Sequence, residues 1–160
     1  MIADYMNMPD DSKAWVFPSQ KKFYTNDIEN IEKKISDFIL SWEQTNPEIQ
    51  SSFTLKYQRF IVIFADSKEP ISTRTTNELI SFIIQLQEEL QTELMDKMNA
   101  CFKQGKYVQY KELKAFKKLI KDKGVNKNTI VFDNHISTKM EFDAYWEIPA
   151  SESWYSTMFK

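Results

Sequence analysis

The chain reads as an α+β domain: a mixed, mainly antiparallel sheet with helices largely on one face. Three observations carry that reading. The stretch Phe53–Asp66, FTLKYQRFIVIFAD, alternates apolar and polar residues in its first half and is unbroken apolar from Phe60 to Ala65. Such a β-branched and aromatic run describes a strand buried on both faces. Ile28, Ile31, Ile35, Phe38, Ile39 and Trp42 recur at spacings of three and four, the stripe of an amphipathic helix. Strand and helix patterns then alternate along the whole chain, and the first part is compatible with a split βαβ, ferredoxin-like core carrying C-terminal additions.

Taken in order, residues 1–12 read as a loose N-terminal extension and residues 13–160 as one domain. Ala14–Phe17 is a short strand stopped by Pro18. Asn26 and Glu29 fit a capping box at the start of the first helix, and Asn46-Pro47 ends it. Phe53–Asp66 follows, as one long strand or as a hairpin turning near Tyr57–Arg59. No Gly or Asn is there to supply a favoured tight turn, so the single strand is preferred.

Thr75 and Glu78 fit a second capping box, before a helix with Leu79, Phe82, Ile83, Leu86 and Leu90 on one face. Met98–Phe102 and Tyr107–Tyr110 flank Lys103-Gln104-Gly105-Lys106, a hairpin signal because glycine accepts positive φ. A third helix covers Glu112–Asp122, closed by Gly124. Thr129–Phe132 is a strand, Ser137–Trp146 a short helix, and Ser151–Phe159 a last helical turn or two. The aromatic tail, with Trp146, Trp154, Tyr155 and Phe159, either folds back over the sheet around Trp15 and Phe17 or forms a docking patch.

Composition excludes several chemistries. The two glycines, Gly105 and Gly124, cannot build a Walker A loop, a GxGxxG turn or a GxSxG elbow. A single histidine and a single cysteine leave no HExxH or cysteine zinc site, and no cofactor or metal is expected. The lone Cys101 and the lack of a secretory signal segment point to a reducing cytosol. No apolar run approaches the ~20 residues a membrane span needs.

The remaining candidates are few. Cys101 and His135 are the one nucleophile–base combination on offer, but Cys101 reads first as a small buried hydrophobe and His135 first as a solvated turn histidine. Arg59 interrupts an apolar face; it binds a carboxylate or phosphate, or, as the preferred structural reading, pairs with an acid such as Asp66 or Glu141 or simply sits at the sheet edge. The net charge is −2, yet Lys103 to Lys127 holds nine lysines against Glu112 and Asp122. Within it Lys111, Lys114, Lys117, Lys118 and Lys121 project from one side of the third helix, as a solvated face or as a surface for a polyanion or acidic partner.

The segments KAWVFPSQKKF (13–23), KYQRFIVI (56–63), MNACFKQG (98–105), FKKLIK (116–121), NTIVFDN (128–134) and TKMEFDAYWEIPASESW (138–154) resemble a small bacterial family commonly labelled "ABC transporter ATPase". The label implies ATP hydrolysis, but this chain has no Walker A and falls short of an ATPase domain in length. In that family a Gly-Cys-Ser-Ile-Asp-like stretch stands at the entrance to the second helix. Here Thr73–Asn77 reads TRTTN, so the thiol is missing, and Arg74, Thr75 and Thr76 are what remains to hold an anion.

Three functions follow, in order of preference. The first is a non-catalytic binding or protein-interaction module, with a second copy or another protein as partner. The second is an anion-ligand binder or small enzyme using Arg59, Arg74, Thr75 and Thr76, with His135 as the acid–base group. The third is a nucleic-acid-associated protein using the lysine helix.

Overall fold

The computed structural model describes residues 2–159. Three strands form the first sheet in the order β1 (Lys13–Pro18), β3 (Phe60–Ser67), β2 (Ile49–Lys56), each antiparallel to its neighbour. β1 and β2 therefore run parallel on either side of β3, joined by helix α1 (Thr25–Thr45), which is a split βαβ unit. Among the described residues after helix α2 (Thr73–Leu90) the chain pairs with this sheet again only at an isolated bridge between Lys13 of β1 and Thr138. It builds a second one, ordered β5 (Tyr107–Lys111), β4 (Ala100–Gln104), β6 (Ile130–Phe132), β7 (Glu147–Pro149), again antiparallel throughout. Helices α3 (Leu113–Lys121) and α4 (Lys139–Tyr145) complete the set. The α+β class holds, with the strands divided between two antiparallel sheets.

The parity of β3 explains the division. Ile61, Ile63 and Ala65 face α1 and α2 together with Trp15 and Phe17 of β1. Phe60, Val62 and Phe64 face the other way, against Cys101, Phe132, Phe142 and Trp146. Neither face is polar, so one layer of helices cannot cover the strand, and the second sheet does so. β4 repeats the arrangement: Cys101 points to the first sheet, whereas Ala100 and Phe102 pack with Phe116 of α3 and Tyr155 of the tail. The layers are thus α1/α2, first sheet, second sheet, and α3 with the tail. Helices lie on both outer faces instead of largely on one.

Phe53–Asp66 is a hairpin and not one strand. Lys56 pairs with Phe60, leaving Tyr57, Gln58 and Arg59 as the turn. Tyr57 (φ 56) and Gln58 (φ 53) adopt the left-handed conformation that costs a non-glycine residue about 1–2 kcal/mol. Contacts outside the hairpin hold them there. Phe23 N–H donates to the Gln58 carbonyl and Ser19 N–H to the Arg59 carbonyl, both at 2.7 Å. The Tyr57 ring lies edge-on to Phe132 at 5.3 Å, and its hydroxyl donates to the Glu147 carboxylate.

Several boundaries also differ from the sequence reading. The N-terminal segment is packed and not loose: Tyr5 stacks on Phe64 at 5.3 Å, and Met8 is buried. α1 begins at Thr25 with no side-chain cap, which places Asn26 inside it. The α2 cap is Ser72, whose Oγ accepts from Thr75 N–H. Lys123, with φ 63, supplies the left-handed residue after α3, and a Cβ added to Gly124 would lie 3.1 Å from Leu119 Cδ2. The aromatic tail folds back in two parts, Trp146 onto Phe60 and Phe132 between the sheets and Trp154, Tyr155 and Phe159 onto β4 and α3, and not onto Trp15 and Phe17. Trp154 carries the edge-on contact to His135, while Tyr155 is fully buried.

Because Gln58 holds a left-handed conformation, Gln58→Gly is expected to stabilise the fold by about 0.5–1 kcal/mol after the entropy cost of glycine is offset. Urea unfolding at neutral pH checks this, and a loss of stability would show that the Gln58 side chain outweighs the strain.

Candidate functional site

The candidate residues are distributed over the molecule. Arg59 sits in the β2–β3 turn, where Nη1 donates to the carbonyls of Ser19 and Gln20, each at 3.0 Å. Its Nε is buried without a partner, and burial lowers its pKa. Among the described residues no carboxylate pairs with it, neither Asp66 nor Glu141. Arg59 ties the exit of β1 to the hairpin turn.

Arg74 lies beyond the opposite end of β3, an eight-residue strand spanning roughly 25 Å. Its side chain is exposed and 3.7 Å from Glu78. Thr75 is buried and donates to Asn46 Oδ1 at 2.7 Å, and Thr76 Oγ1 donates to the Ser72 carbonyl. Both hydroxyls are thus engaged in the start of α2. Arg74 lines a groove of about 620 Å³ with Phe38, Asn77 and Phe82, into which neither Arg59 nor His135 extends. His135 follows β6, with Nδ1 3.7 Å from Asp133 Oδ1.

Cys101 meets Asn134 and not His135. Asn134 Nδ2 donates to the sulfur at 3.5 Å, while its Oδ1 accepts from Trp146 Nε1 at 2.9 Å. All three side chains are buried, and burial pushes the Cys101 thiol up to about 12. A thiol so protonated is a packing group and no nucleophile. Among the described residues no three His, Cys, Asp or Glu side chains gather as a metal-ligand set. None of the described helices is long and apolar enough to cross a membrane.

The lysine face is the most sharply defined feature. Phe116 anchors α3 by packing on Phe102 at 5.0 Å and on Tyr155 at 5.1 Å. That orientation turns Lys114, Lys117, Lys118 and Lys121 outward, at spacings of three, four and seven, in one continuous stripe. Lys111 precedes the stripe, and all five are exposed. Among the described residues none of them is in an ion pair, whereas Lys33, Lys34, Lys103 and Lys139 each meet a carboxylate. β6 is antiparallel to β4 and so begins beside the β4–β5 turn. α3 follows β5 directly and leads, through residues 122–129, to the start of β6.

A second feature is invisible in the sequence. The β2–β3 and β4–β5 turns meet around a cleft of about 270 Å³ lined by Lys22, Tyr57, Gln58, Lys106, Tyr107 and Val108. Tyr57 and Tyr107 are 41% and 59% exposed. The nearest carboxylate interacting with a lining residue is Glu147, which Lys103 already engages at 3.0 Å. Separately, Lys97 packs its ammonium 5.3 Å over the Phe17 ring, and burial lowers its pKa. Tyr57 and Tyr107 stand fifty residues apart, and nothing in the linear order brings them together.

The thiol gives a pH prediction. Its folded pKa, about 12, exceeds the ordinary 9.0, so its stabilising contribution is complete below pH 9 and is lost as pH rises towards 12. Urea unfolding is expected to show lower stability at pH 10 than at pH 7, with a smaller difference in Cys101→Ala. Maleimide labelling of the native protein at pH 7.5 is expected to be no faster than unfolding, and rapid labelling would contradict the burial. No protein-family model matches this chain, and no curated protein or solved structure matches it either.

Proposed function

We propose that this protein is a non-catalytic binding module that docks a polyanion on the lysine face of α3. The observation that carries the reading is the stripe Lys114, Lys117, Lys118 and Lys121, exposed and without a carboxylate partner among the described residues. Like charges three and four apart destabilise a helix by about 0.2–0.5 kcal/mol per pair. The sequence meets that cost four times in nine residues while acids elsewhere in the chain pair with other lysines. A polyanion laid along the stripe converts the repulsion into attraction and releases its own counterions.

The other readings draw less support. Tyr155 and Phe159 of the aromatic tail are occupied in covering β4 and α3, which leaves them out of a self-association surface. Arg59, Arg74 and His135 occupy separate places, and each hydroxyl of Thr75 and Thr76 has an internal partner.

The protein is expected to bind inorganic polyphosphate at 20 mM salt and to lose about a hundredfold in affinity between 50 and 200 mM, as four phosphate contacts require. Replacing the four stripe lysines by alanine is expected to flatten that salt dependence and, with the repulsion gone, to leave the melting temperature unchanged or raised. No binding at low salt, or an unchanged salt slope in the variant, overturns the reading.

A further inference from the structure

The cleft between the two hairpin turns is built differently from the lysine stripe. The stripe presents charge alone. The cleft presents charge together with part-exposed aromatic rings: Lys22, Lys106, Tyr57 and Tyr107 all line it. Lys106 Nζ stands over the Tyr107 ring, 5.7 Å from its centre, so a flat group resting on that face takes the ammonium's place and keeps it as a neighbour. The second ring is held firmly. Tyr57 is packed against Phe60 and Phe132, carries Lys103 Nζ 5.0 Å over its ring, and its hydroxyl is tied to Glu147, which leaves Tyr107 as the more open of the two rings. Neither Lys22 nor Lys106 has a carboxylate partner among the described residues, and Glu147 is engaged by Lys103.

A ligand suited to this cleft carries an anionic group and an unpaired planar ring in one unit. A polyphosphate satisfies the first requirement only. A base-paired duplex buries its ring faces in its own stack. A single-stranded nucleic acid satisfies both, since every base has a π-face and every unit a phosphate. Lys106 stands in the turn before β5 and the stripe stands on α3, the next element of the chain, so the two cationic features follow one another in sequence. We infer that the cleft formed by Lys22, Tyr57, Lys106 and Tyr107 is a base-stacking subsite for single-stranded nucleic acid. The inference rests on the polyanion reading of α3 and narrows it to one class of polymer.

Fluorescein-labelled oligothymidylate of twelve residues and inorganic polyphosphate serve as probes, at 50 mM salt, with the full chain. Tyr107→Ala is expected to weaken oligothymidylate binding about tenfold, the effect of one lost stacking partner, and to leave polyphosphate binding unchanged. The joint variant Lys22→Ala/Lys106→Ala is expected to weaken the oligonucleotide further than the polyphosphate. Tyr107 is 59% exposed, so the variant is expected to fold, and an unchanged melting curve checks this. If Tyr107→Ala binds the oligonucleotide as tightly as the parent protein does, the stacking subsite is refuted while the lysine-face reading survives. Tighter binding to the matching duplex than to the single strand refutes it in the same way. If the parent protein binds neither probe, the lysine-face reading falls and this one with it.

Discussion

Burial of β3 on both faces sets the terms for everything packed around it. Six consecutive side chains, Phe60 to Ala65, are almost wholly removed from water. At about 1.5–3 kcal/mol for each large apolar side chain, this strand makes one of the largest single contributions to the fold. It can do so only if both of its faces are covered. α1 and α2 close one side. The other side requires β4 to β7, which in turn expose the outer face of β4, and α3 and the aromatic tail close that. The tail is therefore the last cover in a series that begins at β3.

The same constraint produces the turn at Tyr57–Arg59. A strand buried on both faces needs hydrogen-bonding neighbours on both edges, and β2 must reverse at once to supply one. The reversal falls on residues unsuited to it. Tyr57 and Gln58 hold left-handed backbone because Ser19, Phe23 and Glu147 grip the turn from outside. Arg59 is part of that grip, through the carbonyls of Ser19 and Gln20. Its charge, half removed from water, serves the connection between β1 and α1, and a structural use accounts for its place in an apolar face.

Much of this is legible in residue order where the determinants are local. The apolar run of β3 announces two buried faces, and the spacing of Ile31, Ile35, Ile39 and Trp42 announces α1, whose buried residues they are. Gly105, at φ 61, marks the β4–β5 turn as its sequence suggests. What escapes is determined at a distance. Tyr5 has no visible role until Phe64 is placed beneath it. The β2–β3 turn lacks its usual residues because its stabilising groups come from elsewhere in the chain. The lysine stripe is readable from spacing, but its lack of ion pairs depends on which carboxylates fold nearby. The cleft is a product of two turns that sequence separates by almost fifty residues, and neither turn alone carries a signal for it.

The order of the layers also sorts charge. α1 and α2, on one outer face, carry eight acidic residues against three basic ones, and α3 on the opposite face carries four lysines and no acid. The molecule is consequently an electric dipole directed across its sheets. Near a strongly negative surface it experiences a torque before any contact forms, over a range set by the ~10 Å screening length at 0.1 M salt. Encounters then begin with α3 leading, and the orientational search that slows most macromolecular association is shortened by the architecture itself.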